Sequence, residues 1–409
     1  MKINLLNIRF NCIFLLLIFL MCLDGLSSIG ILQFMFRHVD ELIVIIFLMY
    51  VFINISFLQK RKGKLLLAWG IFITLGLVSS IAFGYQDIYA AFIDGVLIIN
   101  KFVIGYFTAY IYVLCGKRTI SERVYKAAKF ITVILFLLAV HDFILPPFFE
   151  KADFRYFVYS IKLMFPHATY LAATGITLLI YFGYKNYKNS NFVYMFMSGF
   201  LAMATLRGKA VGFVLVYWLI YLFVYVFKAR HYLFTIASGG IAALLIGMNQ
   251  IQGYFFTKAY SPRLILLKDS ISLAIKHFPF GTGYGTFGSS MAAEHYSVLY
   301  TQLGYEDYWG MGSKSNMFLT DGFWPVIIAQ FGFLGLMVFV FVVCYFFKQS
   351  IRIIKINKNA GFAMLLIMID MMINSLAETA FFNPTALMLF VLFGVCEAEA
   401  ELEKGTKGY

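Results

Sequence analysis

Charge is the scarcest resource of this chain. Asp, Glu, Lys and Arg together make up 13% of its 409 residues, against 62% hydrophobic residues. A soluble protein of this length has no way to hide so much apolar surface, so the composition excludes a soluble globular enzyme and leaves a polytopic membrane protein. Cysteine is also sparse. Cys12, Cys22, Cys115, Cys344 and Cys396 all lie in or beside apolar runs, and no C-x-x-C occurs, which excludes a disulfide framework or a cysteine zinc site. The six histidines show no H-E-x-x-H, so no metal is expected. There is no G-x-S-x-G elbow and no G-x-x-x-x-G-K-[ST] loop, which argues against a serine hydrolase and an ATP-driven pump. No repeat of 20–50 residues is evident. The net charge of +13 has no soluble domain to sit on, so it reads as loop bias and attraction to anionic lipid, and nucleic acid is not an expected partner.

What the chain has in abundance is hydrophobic runs of spanning length, at a mean hydropathy of +0.83. They predict an all-α polytopic membrane protein of about twelve transmembrane helices, near 10–31, 40–58, 65–83, 91–114, 128–146, 167–184, 192–206, 210–227, 232–248, 323–347, 360–377 and 380–396. The first run follows Lys2 and Arg9 without a clear cleavage site and reads as a retained helix. The runs at 192–206 and 210–227 flank Leu206-Arg207-Gly208-Lys209 and are either two helices or one interrupted element. With a cytoplasmic N-terminus, most Lys and Arg fall in cytoplasmic segments, notably Lys60–Lys64, Lys117–Lys129 and Lys348–Lys358. That bias predicts both termini cytoplasmic and residues 249–321 outside. The organisation is then an N-terminal bundle (1–248), one large extracytoplasmic loop (249–321), and C-terminal helices with a cytoplasmic tail (322–409). The run Glu397–Glu403 reads as a solvated helix end.

The large loop should hold the chemistry, because loops carry function while spans carry position. It contains Arg263, Glu294, His295, Glu306, Asp307, Lys314 and Asp321. Arg263 follows Ser261-Pro262 and opens an amphipathic run over Leu264–His277; it is either an anion clamp or a headgroup contact. Arg207 and Lys209 lie between two short spans. Charge at that depth needs a cavity or a partner; a phosphate or pyrophosphate at a helix N-terminus would satisfy both, with interfacial snorkelling as the alternative. Gly283, Gly285 and Gly288 spell G-x-G-x-x-G, but no strand precedes them, so they read as a tight turn and not a dinucleotide site. Asp321, Glu294 and His295 are the acid–base candidates. Arg155, Lys162 and His167 precede the sixth span, and Asp94, Lys101, Asp142, Asp370 and Glu378 are ionisable groups within spans, functional candidates by their depth alone.

Three segments carry a resemblance to a known family. They are Thr205-Leu206-Arg207-Gly208-Lys209-Ala210; Ser261-Pro262-Arg263-Leu264 with His277-Phe278-Pro279-Phe280-Gly281-Thr282-Gly283-Tyr284-Gly285-Thr286-Phe287; and Asp321-Gly322-Phe323-Trp324 leading into Gln330-Phe331-Gly332-Phe333-Leu334-Gly335-Leu336. In order and placement the chain resembles the O-antigen, capsule and exopolysaccharide repeat-unit polymerases (Wzy-like) of the O-antigen ligase superfamily. The resemblance implies a glycosyltransferase of the bacterial cytoplasmic membrane. Such an enzyme moves a growing glycan from one polyprenyl-pyrophosphate carrier to a sugar hydroxyl of another lipid-linked repeat unit, without cofactor or metal. It implies partners in a chain-length regulator and a flippase, and pyrophosphate contacts at Arg207, Arg263 and Arg155, with Lys209 beside them. Ligases of the superfamily often have His-Asn where this chain has Asp321-Gly322. That difference favours a polymerase and makes Asp321 the first candidate for general base, ahead of Glu294 and His295.

Overall fold

The structure, a computed structural model, describes residues 39–116, 122–145, 147–150, 153–155, 157–186, 191–226 and 261–406. The spans expected at 10–31 and 232–248, and residues 249–260 of the large loop, lie outside these. Helices occupy all ten of the other expected positions: α1 (Val39–Ile53), α2 (Ile55–Phe83), α3 (Ile88–Ile93) running through a π turn at Asp94–Ile98 into α4 (Lys101–Gly116), α5 (Glu122–Ile144), α6 (Ala168–Tyr184), α7 (Phe192–Ala204), α8 (Gly208–Tyr221), α12 (Phe323–Ile354), α13 (Lys358–Asn374) and α14 (Pro384–Thr406). Between α8 and α12 lie α9 (Pro262–Lys276) and two single-turn helices, α10 (Ser290–Glu294) and α11 (Val298–Gln302). Strand structure among the described residues is one two-residue hairpin, β1 (Phe154–Arg155) and β2 (Val158–Tyr159), with Phe154 opposite Tyr159.

Among the described residues, five helices are long and apolar enough to cross a membrane: Ile55–Phe83, Ile88–Gly116, Glu122–Ile144, Gly208–Tyr225 and Phe323–Ile354. Ala168–Tyr184 and Phe192–Ala204 are shorter apolar helices. The long helices are apolar on both faces. Along α2, Leu58, Leu65, Trp69 and Phe72 are buried at helical spacing, while Leu67, Ile71 and Ile81 point outward; a helix apolar all round belongs in lipid. The centre of the bundle is the contact of α4 with α14. There Gly394 passes so close to α4 that a Cβ on it would lie 2.5 Å from the Tyr106 carbonyl oxygen, the small-residue approach typical of membrane helices. Around this crossing Phe102 meets Phe390 at 5.0 Å and Phe381 at 5.3 Å between ring centroids.

Two departures from the sequence reading concern charge. The cationic stretch Lys60–Lys64 does not end a helix; α2 runs through it with a local kink at Lys62 (φ −128°, ψ 26°). Nor is Glu397–Glu403 a solvated end. Glu397 is fully buried and takes hydrogen bonds from Lys62 at 2.6 Å, Arg352 at 2.9 Å and the Tyr106 hydroxyl at 2.7 Å. Four residues on, Glu401 faces the same cations, 2.5 Å from Arg352 and 3.6 Å from Lys62. On another face of α14, Glu399 pairs with Lys185 at 3.1 Å. Charge buried in this way persists because each member has a partner, and removing one strands the others. Glu397→Ala is therefore expected to destabilise the protein by about 3–5 kcal/mol, read as a lowered unfolding temperature in detergent.

The segment between α9 and α10 departs furthest from a surface loop. Residues 281–289 are buried between α2, the π turn and α12. Their backbone is satisfied by those helices, as buried irregular chain demands. Thr282 and Gly283 N–H donate to the carbonyls of Ala329 and Gln330 at 2.8 and 3.0 Å. Tyr284 N–H donates to Ser80 Oγ at 2.7 Å, and Gly285 N–H to Asp94 Oδ2 at 2.8 Å. The receiving helices are deformed to match. α12 breaks at Gly332 (φ 62°, ψ −165°), and two carbonyls of the widened π turn, those of Gly95 and Val96, are taken up by the Asn100 amide at 2.8 and 3.0 Å. The glycine motif is thus a turn, as expected, but one inserted into the bundle. Gly283 has φ +96°, and a Cβ there would stand 2.6 Å from the Ser80 backbone. Gly283→Val combines backbone strain with overpacking, each on the order of 1–3 kcal/mol, and should lower the folded yield in membranes far below that of a Gly63→Ala control, where nothing lies within 4 Å of the added carbon.

Candidate functional site

At the end of the bundle where α6, α8, α9 and α12 all begin, charged side chains from five separate stretches of chain meet. α7 and α8 are two helices folded back on each other, since Phe192 at the start of α7 packs on Trp218 near the end of α8. The turn between them holds Leu206 at φ +50° and places Arg207 as the N-cap residue of α8. The Arg207 guanidinium donates to Asp153 Oδ2 at 3.1 Å and to His167 Nε2 at 3.1 Å. Asp153 also receives Arg155 at 3.1 Å, so the hairpin β1–β2 delivers one carboxylate to two arginines. His167 is the N-cap residue of α6. Its Nδ1 lies 2.8 Å from Thr169 Oγ1 and 3.4 Å from the Thr169 backbone nitrogen, the capping contact of α6. Burial, then the positive charge of Arg207, hold His167 below the ordinary imidazole value, in keeping with a neutral ring. For Asp153 burial acts upward, but Arg207 and Arg155 outweigh it and the carboxyl is held below its usual range.

The second part of the site is an ion pair across the start of α9. Arg263, the second residue of that helix, donates through Nε to the Asp321 carbonyl at 3.1 Å and through its terminal amino group to Asp321 Oδ2 at 2.9 Å. Asp321 stands two residues before α12. Burial raises its pKa, and Arg263 opposes this without cancelling it. Between the two arginine pairs lies a third pair, Lys209 Nζ to Glu378 Oε1 at 2.7 Å. Lys209 and Glu378 act electrostatically on both His167 and Asp321, which makes the three pairs one neighbourhood. Beside it a small cavity of about 70 Å³ has Lys209, Glu378, Asp370, Asn374 and Asn383 on one part of its wall and Ala172, Ala173 and Ile176 on another.

The positive character of the place exceeds its side chains. The N-terminal ends of α6, α8, α9 and α12 are all marked by these residues: His167, Arg207 and Lys209, Arg263, and Asp321. Each contributes the positive end of its helix dipole. The side chains are only partly exposed, 12% for Arg207, 16% for Arg263 and 18% for Lys209. Their charges are therefore less screened than at an open surface. Such an arrangement suits an anion with several oxygens.

Of the seven sequence-level candidates, Arg155, Arg207, Lys209, Arg263 and Asp321 come together here. His295 is tied elsewhere: its Nδ1 lies 2.9 Å from Asp87 Oδ2, and Asp87 caps α3 through Ala90 N–H at 2.9 Å. Glu294 is exposed and directly precedes it. Glu306 accepts from Ser313 N–H at 3.1 Å and holds a turn. Lys101 does not pair with Asp94 but with Asp40 at 2.6 Å. Asp153 was not singled out by the sequence, where an Asp two residues before Arg155 was the available signal, and Glu378 stood out only as an ionisable group within a span. No protein-family model matches the chain, and no curated protein matches it. Function is therefore read from the site itself.

Proposed function

We propose that this chain is an integral-membrane glycosyltransferase that polymerises polyprenyl-pyrophosphate-linked oligosaccharide repeat units, with its charged site on the extracytoplasmic side of the bacterial cytoplasmic membrane and both termini in the cytoplasm. The observation that carries the reading is the convergence of four helix N-termini with Arg207, Arg263 and Lys209, each of these cations already held by a carboxylate. A pyrophosphate can replace those carboxylates without any cation having to be newly buried. The acceptor sugar hydroxyl loses its proton to Asp321 and attacks the anomeric carbon of the donor glycan. The bond from that carbon to the pyrophosphate oxygen breaks, and the negative charge developing there is taken by the arginines. Arg155 reaches the same ion through Asp153 and sets how tightly Arg207 is held before substrate arrives.

The test supplies a lipid-pyrophosphate-linked repeat unit to membranes containing the full chain and reads glycan length on a gel. A ladder of lengths is expected. Addition of a single glycan to another acceptor would make the protein a ligase. Movement of the lipid-linked unit across the membrane without any transfer would make it a transporter and overturn the proposal.

A further inference from the structure

We propose that the groove between α2 and α12, at the opposite end of the bundle from the charged site, binds the headgroup of an anionic phospholipid. The groove has a volume of about 620 Å³ and is lined by residues 59–64 and by Phe341, Cys344, Tyr345, Lys348 and Gln349. No acidic residue is among them. Two of its cations are already engaged. Lys62 is turned inward to Glu397, and Arg61 leans to Glu401 at 3.8 Å. Lys60, Lys64 and Lys348 are exposed, and no hydrogen bond or ion pair holds any of them among the described residues. Three cations therefore face one groove without counter-charge, and mutual repulsion would spread them unless an anion sits between them.

A further observation defines the ligand as a lipid. The groove opens onto the outward apolar face of α12, where Met337, Val340 and Phe341 are 60%, 44% and 48% exposed, a surface that fits an acyl chain running from the headgroup. Basic pockets between membrane helices take anionic headgroups through the same charge complementarity.

Purified full-length protein in detergent would be titrated with phosphatidylglycerol, phosphatidylcholine and inorganic phosphate, following lipid adducts by native mass spectrometry and the unfolding temperature in parallel. Phosphatidylglycerol is expected to bind in preference to phosphatidylcholine and to raise the unfolding temperature. The combined Lys60→Gln, Lys64→Gln and Lys348→Gln variant should weaken that binding about a hundredfold, since each lysine beside an anionic headgroup contributes on the order of fivefold. Its response to phosphatidylcholine should be unchanged, which separates lost recognition from lost folding. Equal binding of both phospholipids by the natural protein, or full retention of the preference in the triple variant, would overturn the proposal. So would an equal stabilisation by inorganic phosphate alone, which would mark a free-anion site.

Discussion

Arg263→Ala is expected to abolish the glycan ladder while leaving the protein in the membrane at near-normal amounts. The charge that develops on the pyrophosphate oxygen as its bond breaks is greatest in the transition state. A guanidinium held at that spot therefore acts on rate more than on binding. Loss of one preorganised donor of this kind costs about a hundredfold to a thousandfold in turnover. Arg263 meets that description because its fork is already fixed by two bonds to Asp321, one to the carbonyl and one to the carboxylate. A lysine would keep the charge but lose the two-pronged geometry, so Arg263→Lys should recover only a small part of the activity. Gel ladders at matched protein levels make the comparison. If Arg263→Ala gave the natural length distribution and yield, the clamp would have to be assigned elsewhere. Arg207→Ala is a weaker test, because it also releases His167 and Asp153 and so disturbs the hairpin that carries Arg155.

How much of this was legible in the sequence differs from one residue to the next. Apolar runs locate helices because lipid imposes the same requirement along a whole span, and a helix was found at each of the ten expected positions that are described. Charges were harder, because their meaning depends on partners far away in the chain. Lys62 interrupts an apolar run and looks like a loop residue, yet it is enclosed by Glu397 and stacks over the Tyr110 ring at 4.3 Å. Glu397 looks like part of a soluble tail for the same reason, and neither residue predicts the other. The glycines of 281–288 announced a turn, but the partners that allow it to be buried are Ser80, Asp94 and Gln330, which no local pattern marks. The arginines of the charged site were visible because a cation next to a span requires an explanation. Asp153 was not, because carboxylates in connecting segments are usually solvated, and Glu378 stood out by its depth alone, with nothing local to mark it as the partner of Lys209.

Asp321 gives the second large effect, through pH. As general base it must be ionised, and burial lifts its pKa above the ordinary carboxylate value despite Arg263. Turnover should therefore fall on the acid side at a higher pH than a solvated Asp would dictate, rise through the raised pKa, and level off above it. Substrate sharpens the effect. When pyrophosphate draws Arg263 away, Asp321 loses the interaction that lowers its pKa and gains a negative neighbour, so its affinity for the proton of the attacking hydroxyl increases as that hydroxyl arrives. The acid limb of turnover at saturating substrate should accordingly lie at higher pH than the limb measured at low substrate, the order in which bound and free enzyme are reported. Asp321→Asn keeps the size and the hydrogen bond to Arg263 but cannot accept the proton. It should lower turnover by about a hundredfold to ten-thousandfold and remove the acid limb altogether. A residual rate that kept the same pH dependence would mean that another group is the base. In that case Asp321 would serve only to hold Arg263 in place, and the His295–Asp87 pair would become the first place to look.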